Sequence, residues 1–172
     1  MWSSRRRLLA TGAALSTRAA LPTFALLSGC GFQLRRPPEL NFQSIALTGF
    51  APRSPLAEEL RRQLLLQVRV LDTPDKAQVV LHALEDQRER SVVASTAAAQ
   101  VRELQLRLKL NFRAHTPSGR ELIARSELLL QRDMSYSENA ALAKEFEEAE
   151  LFRELQADLV GQVLRRLAAV KV

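Results

Sequence analysis

The clearest pattern in the chain is an alternation of apolar and polar residues over residues 101–113. Leucines and one phenylalanine occupy every second position, and charged or amide side chains occupy the positions between them. A period of two predicts a β-strand with one buried face and one open face. The apolar set is Leu104, Leu106, Leu108, Leu110 and Phe112, and the polar set is Glu103, Gln105, Arg107, Lys109, Asn111 and Arg113.

Two further runs flank this strand and predict its neighbours. Residues 77–90 begin as an apolar strand and then turn polar, and residues 91–100 are small and polar, which predicts a longer flexible turn. Thr116-Pro117-Ser118-Gly119 predicts a hairpin loop before the next strand, at residues 120–132. The apolar face of that strand is expected to carry Leu122, Ala124, Ser126, Leu128 and Leu130. Residues 77–132 are therefore predicted to form an antiparallel meander.

Apolar spacings of three and four residues predict two amphipathic helices. The first should begin at Ser54, a favourable N-cap followed by Pro55, and end near Gln67. The second should be capped by Ser137 and run to about Leu167, roughly eight turns. The predicted buried stripes are Leu56, Leu60 and Leu64 in the first helix, and Leu142, Phe146, Ala149, Phe152, Leu155, Leu159, Val163 and Leu167 in the second.

These elements predict an α+β fold, a two-layer sandwich. A short strand at residues 44–48 precedes the first helix, so the mixed sheet should contain about four strands. Each helix has one apolar stripe to bury, and both are therefore expected to pack on the same face of the sheet. The helical connection predicts that the first strand runs parallel to the first meander strand, with a right-handed crossover. The other face of the sheet should stay open.

The first 29 residues have the organisation of a bacterial lipoprotein signal peptide. Three arginines, Arg5 to Arg7, precede an apolar run that closes with Leu26-Leu27-Ser28-Gly29-Cys30. Cleavage before Cys30 would make this only cysteine the first mature residue and the site of lipid attachment. The alternative is a free cysteine buried in a core helix. The paired arginines also fit a twin-arginine signal, so the export route stays open between that system and the general secretory one.

The signal divides the chain into three predicted parts. Residues 1–29 are the signal peptide, residues 30–43 are the lipidated cysteine and an extended tether, and residues 44–172 are the domain. Pro37 and Pro38 favour the extended tether. Gly31 follows the lipid site, where Asp tends to retain such lipoproteins at the inner membrane, so Gly31 predicts onward transport to the outer membrane.

The charge balance offers little support for nucleic-acid binding. The chain has 25 Lys and Arg against 19 Asp and Glu; four arginines leave with the signal, so the mature balance is 21 against 19. Aromatic residues are also sparse, at 5% of the chain, which argues against base stacking. No partner that is a nucleic acid is therefore expected.

The residues that commonly carry catalysis or metal binding are few. His82 and His115 are isolated from each other and have no cysteine partners, so no metal site or other cofactor is expected. Ser118 and His115 are the residues to test for a hydrolase, but no Gly-x-Ser-x-Gly context supports one. The chain is therefore not expected to be an enzyme.

Basic residues on the open sheet face are the main candidate for ligand binding. Arg107, Lys109 and Arg113 share the polar face of one strand, and Arg125 lies on the next. Guanidinium and ammonium groups pair well with phosphate, so this face could meet an anionic lipid headgroup. The alternative is that these charges simply keep an open sheet face soluble.

A family resemblance appears when the motifs are taken in order. Cys30 is followed by Gly-Phe-Gln-Leu-Arg, then by the strand, helix and meander, and then by Tyr136 and Ala141-Leu142-Ala143-Lys144. The last helix closes with Gln162-Val163-Leu164-Arg165-Arg166-Leu167. This order resembles the LptE family of lipopolysaccharide-assembly lipoproteins across the mature chain. The resemblance implies a lipoprotein of the outer membrane, on its periplasmic side, without enzymatic activity. It would plug the LptD β-barrel, help it to fold, and bind lipopolysaccharide for insertion into the outer leaflet.

The resemblance also implies where the lipid binds. Family members place one basic residue at the position of Lys144, which we expect to be exposed, and another in the turn after the first long strand. That turn reads Val93-Ala94-Ser95-Thr96 here and has no basic residue, so Arg90 or Arg102 would have to substitute. The competing hypothesis is a different adaptor lipoprotein, such as a pilotin for another outer-membrane pore.

Overall fold

The computed structural model describes residues 38–172, which form a five-stranded sheet and two α-helices. The sheet order is β2-β1-β3-β4-β5. The α+β prediction is confirmed. The elements in chain order are β1 (Ser44–Thr48), α1 (Pro55–Leu64), β2 (Arg69–Leu71), a 3₁₀ turn (Pro74–Lys76), β3 (Val79–Ser95), β4 (Val101–His115), β5 (Glu121–Ser135), a second 3₁₀ turn (Glu138–Ala140) and α2 (Ala141–Ala168).

Strand pairing agrees with the predicted topology, with one strand added. β1 runs parallel to β3, and β3, β4 and β5 form the antiparallel meander. The additional strand is β2, which pairs in parallel with β1 at the sheet edge. The prediction of about four strands missed it because α1 ends at Leu64, three residues earlier than expected, and leaves room for a three-residue strand.

The start of α1 follows the rules that predicted it. The hydroxyl of Ser54 accepts a hydrogen bond from the backbone N–H of Ala57 at 3.0 Å, and Pro55 occupies the first helical position. The same hydroxyl donates to Asp86 of β3, which fixes the helix start against the sheet. One side chain therefore satisfies an orphan helix donor and also links the two layers.

The core lies between the helices and one face of the sheet. The alternate residues of β4 predicted to be apolar are all buried, and they pack with the buried stripes of both helices. Leu56, Leu60 and Leu64 of α1 are fully buried, as predicted. The α2 residues in this core include Phe152, Leu155, Leu159, Val163 and Leu167.

The meander strands are longer than predicted. β3 continues to Ser95, so the predicted turn at residues 91–100 is wrong in its first half, and the actual turn is residues 96–100. β5 continues to Ser135. A bulge puts Ile123 opposite Ala114 while Ser126 stays opposite Phe112, which interrupts the alternation predicted through Leu122 and Ala124.

The beginning of α2 differs from the prediction in two ways. Ser137 makes no side-chain capping bond; it precedes the 3₁₀ turn, and the α-helix begins at Ala141. Leu142 and Phe146, assigned to the buried stripe, are 68% and 70% exposed, and Ala149 is exposed as well.

The spacing along the helix explains the exposure. Leu142 and Phe146 precede the buried Phe152 by ten and six residues, which places them about 80° and 120° around the helix from its buried side. By register, Arg88 and Arg90 of β3 lie opposite Leu108 and Leu106 and therefore share their helix-facing side. Arg88 stacks over the ring of Phe152 at 3.7 Å, and Arg90 pairs with Glu148 at 3.1 Å. These two contacts hold the part of α2 around Glu148 and Phe152 on the sheet.

Residues just before β1 belong to the folded domain. Phe42 is buried in the core, and the side-chain amide of Asn41 donates to the backbone carbonyl of Ala168 at 2.8 Å. The chain therefore enters the domain beside the C-terminal end of α2. Within residues 38–172, no helix combines the length and the apolar character that a membrane span requires.

Candidate functional site

Lys144 lies in the first turn of α2 and already has two partners. Its Nζ donates to Oε2 of Glu147 at 2.8 Å and to the hydroxyl of Ser135, the last residue of β5, at 3.0 Å. Its side chain is 19% exposed, so Lys144 is less exposed than predicted, although its ammonium group lies at the surface. The ammonium group is held at the surface by one carboxylate and one hydroxyl, both of which can be exchanged for other anionic or polar oxygens.

Arg102 lies at the same end of the sheet as Lys144. Its backbone carbonyl accepts from the N–H of Tyr136, the residue next to Ser135, at 2.8 Å, and Arg102 is exposed. Arg90 lies farther along, opposite Leu106, where it is engaged by Glu148. The turn at residues 96–100 contains no basic residue either. The position of Arg102 makes it the better substitute for the basic residue expected in that turn.

The other predicted basic residues lie on a different surface. Arg107, Lys109 and Arg113 share the open face of β4, opposite to the face that α2 covers. Lys144 belongs to the helical layer, so the structure does not bring the four candidate residues Lys144, Arg107, Lys109 and Arg113 together on one surface.

Acidic neighbours compensate the charge of Lys109. Its Nζ lies 2.9 Å from a carboxylate oxygen of Glu85 and 3.6 Å from one of Glu127, on the two flanking strands. The hydrogen bond to Glu85 is the main cause that raises the pKa of Lys109 above its ordinary value, and burial opposes it. The ammonium group therefore stays charged at physiological pH and stays paired within the sheet.

Arg107 and Arg125 of this face also contact protein groups. Arg107 lies opposite Glu89 in the register, and its Nε donates to Gln105 at 2.6 Å. On the neighbouring strand, Arg125 donates to the side-chain carbonyl of Asn111 at 3.2 Å. The open face therefore carries interleaved positive and negative charge, as the alternative interpretation of a solvated face expects.

The two histidines make local contacts. Nδ1 of His82 lies 2.9 Å from the hydroxyl of Thr48, and Nδ1 of His115 lies 2.8 Å from the backbone carbonyl of Thr116. The hydroxyl of Ser118 shares a hydrogen bond with that of Thr116. In the part of the chain described, Ser118 and His115 thus use their polar atoms in the hairpin turn. The same residues 38–172 hold no cluster of side chains suited to a metal ion.

Exposed apolar side chains surround the start of α2, and sequence reasoning missed them. Leu142 and Phe146 flank Lys144 in the chain, and Val92 and Val93 of β3 are exposed at the same end of the sheet. We call this end of the domain, formed by the first turns of α2 and the adjoining strand ends, the α2 entry surface. Residues two apart lie about 200° apart around a helix, so Leu142 and Phe146 share one side of these turns and Lys144 lies on another.

Cys30 and the signal peptide lie outside the described residues, so lipid attachment stays a prediction. So do the tether residues up to position 37.

Solved structures of bacterial lipoproteins share this fold. Lipoprotein B from Nitrosomonas europaea is similar, with 27% identity and a TM-score of 0.68, covering 81% of this chain and 91% of that one. Rare lipoprotein B from Shewanella oneidensis has 24% identity and a TM-score of 0.61, covering 74% and 95%. A minor lipoprotein from Acinetobacter baumannii has 23% identity and a TM-score of 0.61, covering 76% and 93%. No curated protein matches the chain.

A family model identifies the relationship that these folds suggest. The model described as LptE, lipopolysaccharide-assembly, matches residues 42–167, from the buried Phe42 to Leu167 near the end of α2. The match includes both helices, all five strands and the α2 entry surface. It supports a role in lipopolysaccharide assembly for a lipoprotein of the cell envelope. The chain therefore belongs to the LptE family.

Proposed function

We propose that the chain is an outer-membrane lipoprotein, anchored through Cys30, that plugs and helps to assemble the LptD β-barrel and binds lipopolysaccharide during its insertion into the outer leaflet. The family match carries the general role. The observation that carries the ligand is Lys144 at the α2 entry surface, where Leu142 and Phe146 are exposed on the other side of the same helical turns. The family is not enzymatic, and we propose no reaction for this chain.

The α2 entry surface has the chemistry that a phosphorylated lipid needs. An ammonium group attracts phosphate, and the N-terminal end of a helix adds a partial positive charge. Leu142 and Phe146 offer apolar area to acyl chains on another side of the same helical turns. Arg102, at the same end of the sheet, is the second cation that we propose for the lipid phosphates. Arg107, Lys109 and Arg113 lie on the open face, which is a separate surface. They remain predicted candidates for binding lipopolysaccharide.

The open sheet face suits the lumen of a large barrel. Lumen-facing residues of outer-membrane barrels are polar, and a wide barrel encloses enough space for a small domain. Interleaved charges such as Lys109 with Glu85 and Glu127 can exchange partners with a polar wall at little cost in desolvation. A plug needs such a surface, whereas a bare apolar face would aggregate before assembly.

The chain enters the domain at one end of α2, and the proposed lipid site lies at the other end. Asn41 fixes the incoming chain at Ala168, and Lys144 lies 24 residues earlier in the same helix. At a rise of 1.5 Å per residue, these points are about 36 Å apart. A lipid site at Lys144 would therefore lie at the opposite end of α2 from the point at which the chain enters the domain.

Direct binding tests the lipid half of the proposal. The lipidated chain, purified in non-ionic detergent, should bind labelled lipopolysaccharide saturably, and excess lipid A should displace it. Lipid A stripped of its phosphates should displace it poorly, because the cation would lose its partner. Absence of saturable binding would refute a lipopolysaccharide site on this chain.

The competing function is an adaptor for a different outer-membrane pore, such as a pilotin. It shares the lipid anchor but predicts a secretin, in place of LptD, as the stable partner. It also predicts no saturable binding of lipopolysaccharide.

A further inference from the structure

The cation proposed for the lipid is already neutralised by the protein. Glu147 lies three residues after Lys144 on α2, so its carboxylate reaches the ammonium group within one helical turn, at 2.8 Å. Ser135 supplies the second contact from β5. These two contacts engage two of the three N–H donors of the ammonium group, so a phosphate that binds Lys144 competes for its charge with a carboxylate on the same helix.

We propose that Glu147 is an internal competitor that sets the affinity of the lipid site and favours release of the lipid. This inference rests on the proposed function, in which Lys144 contacts a lipid phosphate. As the phosphate leaves, Glu147 pairs with Lys144 again, so the cation is not left without a partner. A protein that passes its ligand onward requires such reversible binding.

The magnitude follows from the exposure of the pair. Glu147 is 47% exposed at its side chain, and pairs of this kind contribute up to about 1 kcal/mol, which corresponds to about fivefold in affinity. Breaking the pair therefore weakens binding of the phosphate by a factor of this size. Ser135 needs no replacement, because its hydroxyl can donate to a phosphate oxygen once Lys144 turns toward the ligand.

The test compares Glu147→Gln with a matched control on the same helix. Glu150→Gln removes the same charge one turn farther along, where Glu150 pairs with Arg153 and has no contact with Lys144 among the described ion pairs. Binding of phosphorylated lipid A in non-ionic detergent micelles is measured for both variants and for the wild-type chain. We expect Glu147→Gln to bind about three- to fivefold more tightly, and Glu150→Gln to change affinity by less than about 1.5-fold.

A second background separates competition from a general change in electrostatic potential. In a Lys144→Met chain, Glu147→Gln should add no more affinity than Glu150→Gln does, because no cation remains to be released. Circular dichroism confirms that each variant is folded. Equal gains in affinity for Glu147→Gln and Glu150→Gln in the chain that retains Lys144 would overturn the inference.

The outcomes distinguish this inference from the proposed function. If the wild-type chain binds no phosphorylated lipid A, the lipid site itself is refuted. If it binds, but Glu147→Gln gains nothing over Glu150→Gln, only the competitor is refuted, and Lys144 keeps its proposed role.

Discussion

Two phenylalanines on α2 allow a matched test of where the core ends. Phe146 and Phe152 lie six residues apart in one helix, and both were expected in its buried stripe. The structure leaves Phe146 70% exposed and Phe152 2% exposed. The same substitution, Phe→Ala, should therefore have very different effects at the two positions.

The expected losses of stability follow from burial. Full burial of a phenylalanine contributes roughly 1.5–3 kcal/mol, so the buried third of Phe146 corresponds to about 0.5–1 kcal/mol. Removing the buried ring of Phe152 leaves a cavity and should cost about 3–5 kcal/mol. The substitution also removes the contact between this ring and the guanidinium of Arg88. That contact contributes about 0.5–1 kcal/mol, which is included in the loss of about 3–5 kcal/mol.

Urea denaturation followed by far-ultraviolet circular dichroism measures the difference. Tryptophan fluorescence would not serve, because the only tryptophan, Trp2, lies in the predicted signal peptide. Phe152→Leu provides a milder variant if Phe152→Ala fails to fold. Similar free energies of unfolding for Phe146→Ala and Phe152→Ala would show that the first turns of α2 are packed, and would remove the α2 entry surface from the account. Phe146→Ala should also weaken binding of lipopolysaccharide, whereas a purely structural residue would not affect it.

Three further predictions follow from single contacts. Lys144→Glu should weaken binding of lipopolysaccharide at least about tenfold, because an attraction becomes a repulsion, while the thermal melting temperature stays within a few degrees. Lys109→Met should leave that binding unchanged, since two carboxylates already occupy the ammonium group; a loss similar to that of Lys144→Glu would place the lipid on the open sheet face. Gly49→Ala should destabilise the domain by about 2 kcal/mol or more in urea, because φ is +78° and a Cβ would lie 2.1 Å from the carbonyl oxygen of Ala83. Gly119→Ala, with φ of +90° and open space around it, is the control and should lose only about 1 kcal/mol; equal losses would contradict the steric argument.

Local patterns predicted the elements that carry long periodic signals. The alternation around β4 predicted its start and its buried face, and the Ser54-Pro55 pair predicted the start of α1. β2 was missed because three residues are too few to show a period, and its pairing with β1 depends on the preceding helix ending early.

Features that depend on a neighbouring element could not be predicted in this way. The contacts of Arg88 with Phe152 and of Arg90 with Glu148 depend on how α2 packs across β3, which the sequence does not show. The pairing of Lys109 depends on the register of β3 and β5, which brings two acidic residues beside it. For Lys144, the i,i+3 spacing to Glu147 was visible in the sequence and could have indicated the ion pair.

Purification of the chain from outer membranes tests the central claim most directly. A C-terminal tag follows α2, and detergent extraction keeps lipid-anchored and barrel proteins in solution together. Mass spectrometry of the purified material should find the LptD barrel in a one-to-one ratio with the chain. A secretin in place of LptD, or no barrel protein in a stoichiometric amount, would contradict the proposed role in lipopolysaccharide insertion.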